Sequence, residues 1–97
     1  MTKAESWPFD QGPNVAALTT RQVLDLHYPV LQVVHYDDDD SWAFLCGTTE
    51  NTEDYRLVHM GELLTLDESL TSIADLPPGW SAFRENKNSP WHKTVTA

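Results

Sequence analysis

The chain is poor in the residues that several large functional classes require. It holds a single cysteine, Cys46, which excludes an internal disulfide and suits a reducing compartment. Six Lys and Arg stand against fifteen Asp and Glu, for a net charge of −9 over 97 residues. So few cations exclude a reader of nucleic acid backbones, which needs Lys and Arg to displace counterions. No uncharged apolar run approaches the ~20 residues that span a bilayer, so no membrane partner is expected. The opening Met1-Thr-Lys-Ala-Glu-Ser-Trp-Pro8 lacks the basic start and apolar centre of a signal peptide, and a cytoplasmic location is expected. Glycine is scarce as well, at four residues. No phosphate-binding loop, dinucleotide-binding glycine pattern or G-x-S-x-G elbow occurs.

What is present suits a small folded domain. Hydrophobic residues make up 40%, too many for a disordered acidic tail. The length suits one domain over residues 1–97, with 1–13 an irregular lead-in and 86–97 a polar tail. A chain this short buries only about 60–65% of its unfolded surface, so large side chains must be used well. Four Trp, three Tyr and three Phe meet that need. Trp7, Phe9 and Trp91 lie near the ends, where aromatics tie chain termini onto the body.

The elements follow from local pattern. Val15–Thr20 reads as a short strand, and the Thr20 hydroxyl is placed to cap a helix over Arg21–His27. Tyr28, ahead of Pro29, is pushed to extended backbone. Pro29–Tyr36 is β-branched, aromatic and apolar on both faces, hence a central strand. Asp37–Ser41 is then the turn of a hairpin whose second strand, Trp42–Gly47, sets Trp42, Phe44 and Cys46 on one side. Thr48–Asp54 reads as an acidic loop, Tyr55–His59 as a third strand and Gly61–Leu66 as a helical turn. Asp67 caps a further helix with Leu70, Ile73 and Ala74 on one face, which Pro77-Pro78-Gly79 stops. Trp80–Arg84 is expected to be the final strand. The fold class is α+β: a small, mostly antiparallel sheet with two or three short helices packed on one face.

The chemistry-bearing residues form no complete motif. Asp37, Asp39 and Ser41 fit the first three ligand positions of a calcium loop. Trp42 then stands where its glycine belongs, and Thr48 where its bidentate glutamate belongs. His35, Cys46 and His59 sit near strand ends, and a metal-dependent or small-molecule activity at their meeting point is the alternative reading. Zinc normally takes four ligands at close spacing, and no fourth is evident. No cofactor is expected, and the protein is read as non-enzymatic.

Surface charge remains. Asp37, Asp38, Asp39, Asp40, Glu50, Glu53 and Asp54 are expected at one end of the hairpin, with Trp42 beside them as an anchor if exposed. Concentrated like charge selects partners by complementarity, so a basic protein is the expected partner. The bland alternative is solubility alone.

Three segments carry a family likeness: Asp40-Ser-Trp-Ala-Phe-Leu-Cys-Gly47, Leu66-Asp-Glu-Ser-Leu70 and Asp75-Leu-Pro-Pro-Gly-Trp-Ser-Ala-Phe-Arg-Glu85. Together, over roughly residues 15–85, the chain resembles a family of small bacterial domains of unknown function. More distantly it is similar to immunity proteins of polymorphic toxin systems. That pattern includes a D-S-x-W-x-F-x-x-G hairpin; here Trp42 follows Ser41 directly, and Glu68 replaces the usual proline after Asp67. The resemblance implies a non-enzymatic protein that binds and neutralises a toxin domain, such as a basic nuclease. A housekeeping interaction domain with no toxin link is the other reading of the same surface.

Overall fold

A computed structural model describes residues 9, 12–47 and 51–96. Strand β1 (Ala16–Thr20) leads directly into helix α1 (Arg21–Leu26), followed by the hairpin β2 (Gln32–His35) and β3 (Trp42–Leu45). A 3-10 turn (Thr52–Asp54) precedes β4 (Tyr55–His59), which runs into α2 (Met60–Leu66) and a second 3-10 helix (Glu68–Ile73). Strands β5 (Trp80–Phe83) and β6 (His92–Val95) complete one six-stranded sheet in the order β4-β1-β3-β2-β5-β6. Among the described residues only the β1–β3 pair is parallel. The α+β architecture read from the sequence is the one observed, and β2 lies inside the sheet as expected of a strand apolar on both faces.

Two parts of the reading need correction. Residues 86–97 are not simply a polar tail, because His92–Val95 pairs antiparallel with β5 and Trp80–Arg84 is therefore not the last strand. All four residues of β6 are exposed, so the strand has no apolar alternation to announce it. Its order comes from ladder hydrogen bonds and from Trp91 immediately before it, which packs against the core. Thr20 does occupy the N-cap of α1, but its hydroxyl makes no cap bond. It faces the Cys46 thiol at 3.6 Å instead.

The registers sort the strand side chains into two faces. Ala17 pairs with Val58, Val33 with Phe44 and with Ala82, and all five belong to or pack against a single core cluster. Val23 of α1, Met60 and Leu63 of α2, and Leu70 and Ile73 of the 3-10 helix join the same cluster. The helices thus cover one face of the sheet. Helix α1 ends at His27, whose left-handed backbone (φ 59°) reverses the chain where glycine is usual. Phe9 sits edge-on to Trp42 with centroids 4.9 Å apart, so this early aromatic is itself packed into the core. Trp7 lies outside the described residues.

Arg84 closes the far side of this layer. Its place follows from alternation: Trp80, Ala82 and Arg84 fall on the helix-covered face, so the guanidinium is carried inward, where it is only 4% exposed. Nε donates to the Val30 carbonyl, Nη1 to Ser69 Oγ and the Lys87 carbonyl, and Nη2 to Asp67 Oδ2 at 3.0 Å. The indole of Trp91 lies 4.3 Å beneath it. A buried charge is tolerable only when paired and hydrogen-bonded in this way. Asp67 was expected only as a cap. It does accept from the Ser69 N–H, but it is also the counter-ion of Arg84.

Candidate functional site

The β2–β3 turn carries Asp37, Asp38, Asp39 and Asp40, all exposed. Asp39 Oδ1 accepts the Ser41 N–H at 3.1 Å, and Asp40 adopts φ 60°, a left-handed conformation that Asp tolerates well. Hydrogen bonds from Ser41, side chain first, hold the Asp39 carboxyl below its ordinary value, so it stays ionised. Across the turn Gly79 comes close. A Cβ built on it would lie 3.3 Å from Asp37 Oδ2, and its φ of +86° independently favours glycine. Its N–H donates to the His35 carbonyl at 2.7 Å.

The remaining acidic residues do not join this group. Leu18 is level with Ala43, and Thr20 pairs with Tyr55, so the residues just before β4 lie at the end of β3 away from the turn. Glu53 and Asp54 are therefore separated from Asp37–Asp40 by the length of the sheet's strands, roughly 15 Å. Asp54 is moreover engaged, accepting from Arg21 Nε at 2.9 Å and from Gln22 Nε2 at 3.0 Å. Glu53 is exposed, and its N–H donates to Asn51 Oδ1. Glu50 lies outside the described residues. The single acidic end expected from the sequence is thus two ends. Local composition could not show this, because it depends on how β1 pairs with both β3 and β4.

Trp42 is not an exposed anchor. It is 1% exposed, stacked on His35 at 3.9 Å and parallel to Phe44 at 5.9 Å. A strand position between two core-facing neighbours forces this, and the core role is the one it fills.

His35, Cys46 and His59 stay apart. His35 and Cys46 share the helix-covered face, but His35 pairs with Trp42 while Cys46 lies beyond the other end of β3. The His35 ring nitrogen Nδ1 is 2.7 Å from the Leu76 carbonyl. His59 is on β4 across the sheet, where it forms a capping box with Glu62 at the start of α2. Among the described residues no three His, Cys, Asp or Glu side chains come together as metal ligands. The geometry gives the metal-dependent alternative no centre.

A groove of about 270 Å³ lies between the end of α1 and α2, with Val23, Val30 and Leu63 inside and His27 and Lys87 at its rim. Its acid, Asp67, is already bound to Arg84. Among the described residues no helix is long and apolar enough to cross a membrane.

The cations of the described residues are largely used within the fold. Arg21 holds Asp54, Arg84 holds Asp67, Lys93 holds Asp75, and Arg56 donates to the carbonyls of Glu53 and Tyr55. Among the described residues no ion pair reaches Asp37–Asp40. In comparison with known proteins, no family model matches the chain, and neither a curated protein nor a solved structure does.

Proposed function

We propose that this is a non-enzymatic protein-binding module whose partner is a basic protein. One observation carries the reading: Arg21, Arg84 and Lys93 are each held by an acid elsewhere in the fold, while the four adjacent carboxylates of the β2–β3 turn are exposed and meet no ion-pair partner among the described residues. Such a field speeds encounter with a cationic surface and rejects anionic ones. The resemblance to immunity proteins makes a basic toxin domain in the cytoplasm, such as a nuclease, the first partner to test. The protein would act there by occupying the toxin.

The test is association kinetics with a copurified basic partner, at low and high salt. Changing Asp37–Asp40 together to Asn should lower the association rate about tenfold at low salt and flatten its salt dependence. Equal rates for both forms at every ionic strength would remove the reading.

A further inference from the structure

We infer that the face of the sheet not covered by helices is the contact core for that basic partner, with the acidic strand ends as its rim; this rests on the reading above. The registers give one continuous row across all six strands: Leu57, Leu18, Ala43, Val34, Ser81 and Thr94. A second row passes through Leu45, Gln32, Phe83 and His92. No strand position on this face carries Asp, Glu, Lys or Arg, in a chain where 22% of residues are charged. By contrast, the covered face carries Arg56, Arg84 and Lys93. Leu57 is 72% exposed and Phe83 49%, flanking a middle where Ala43 and Val34 are only 0% and 8% exposed, so the accessible apolar surface lies at Leu57 and Phe83. A one-sided antiparallel sheet ordinarily turns polar and charged residues to water, so the uncharged face departs from what solvation alone selects.

Size and charge together define the occupant. Six strands of four or five residues make a face of roughly 25 by 15 Å, or about 400 Å². A stable interface needs about 800 Å² from each partner, so the partner must also extend over the strand ends. Those ends carry Asp37–Asp40 on one side and Glu53 with Asp54 on the other. An apolar centre with a charged rim is the ordinary anatomy of an interface.

A second copy of this chain fits poorly. Aligned sheets stack about 10 Å apart, close to the ~8 Å screening length in physiological salt. A two-fold axis along the strands sets turn against turn. An axis across them sets the turn against Glu53 and Asp54. Either arrangement places acid on acid, whereas a partner with an apolar patch between Lys and Arg meets both features.

The experiment places a photo-crosslinking benzoylphenylalanine in the full chain at Leu57, Phe83, Asp38 or, on the helix side, Thr71, and irradiates it in the native host. Support is one basic protein crosslinked from Leu57, Phe83 and Asp38 but not from Thr71. With that protein purified, Leu57→Ser and Phe83→Ser should each raise the dissociation rate about tenfold. Both variants should keep the parent urea midpoint, which separates lost contact from lost fold. A basic adduct from Asp38 alone overturns the sheet-face assignment and leaves the binding module standing. An acidic or neutral adduct at the sheet face overturns the basic-partner reading itself. An adduct with a second copy of the chain, or no adduct at any position, overturns the proposal.

Discussion

The two faces of one sheet show how differently the same strands can be used. On the covered side, Trp42, Phe44, Val33 and Ala82 are at most 1% exposed, and even a guanidinium is drawn in and fully engaged. On the open side, Leu57 and Phe83 contribute little to burial although they sit one residue from core positions. Stability therefore draws mainly on one face; on the other only the middle, at Ala43 and Val34, is buried, and Leu57 and Phe83 are free to be selected for something else. Neighbours in sequence can differ by several kcal/mol in what they do for the fold.

The largest expected effect breaks this contrast from the covered side. Trp42→Ala should cost about 3–5 kcal/mol, against a total of about 5–15 kcal/mol for a domain. Leu57→Ser should stay within about 0.5 kcal/mol. Urea unfolding of both variants measures the difference, and equal losses would remove the one-sided account.

Arg84 sharpens the comparison next. Arg84→Met strands the Asp67 carboxylate, whose side chain is 11% exposed, and should cost about 3 kcal/mol. Adding Asp67→Leu should recover part of that loss, because no unpaired charge is left behind. A double variant no better than the single would show that the backbone bonds to Val30 and Lys87 matter more than the ion pair.

The smallest effect lies at the exposed pair between Lys93 of β6 and Asp75, two residues past the second 3-10 helix. Lys93, through hydrogen bond and charge, holds the Asp75 carboxyl below its ordinary value of 3.8. A carboxylate lowered on folding adds stability above its unfolded value and loses it as pH falls through the lower folded one. With Asp75 80% exposed, Lys93→Ala should cost under about 1 kcal/mol at neutral pH. The difference from the parent should vanish as pH drops below 3.8, which unfolding curves across that range would show.

The sequence made much of the fold legible wherever a local signal existed. β-Branched and aromatic content exposed β2 and the apolar run Trp42–Gly47 exposed β3, the aspartate run marked their turn, and Pro77-Pro78-Gly79 marked the stop before β5. Strand β4 was read at its observed limits, Tyr55–His59. The signals failed where structure depends on distant partners. His92-Lys93-Thr94-Val95 becomes a strand because β5 offers it an open edge, and nothing in its own composition says so. The second helix after β4 is 3-10 rather than α, a distinction that Leu70 and Ile73 at i, i+3 spacing do not make. At the candidate site the turn was legible but its separation from Glu53 and Asp54 was not. The burial of Trp42 was available from strand alternation with Phe44. The inward path of Arg84 was available from Trp80 and Ala82 in the same way.

Arg84 also has a bearing on how the chain reaches its fold. It bonds the Val30 carbonyl from 54 residues away, and β5 completes the pairing of β2 only after the intervening strand and helices have been made. A nascent chain halted before residue 80 would therefore hold β2 with one edge bare and no guanidinium at its base. Closing such distant loops before any contact rewards them slows folding. The native structure should accordingly form only once the residues through Arg84 have left the ribosome.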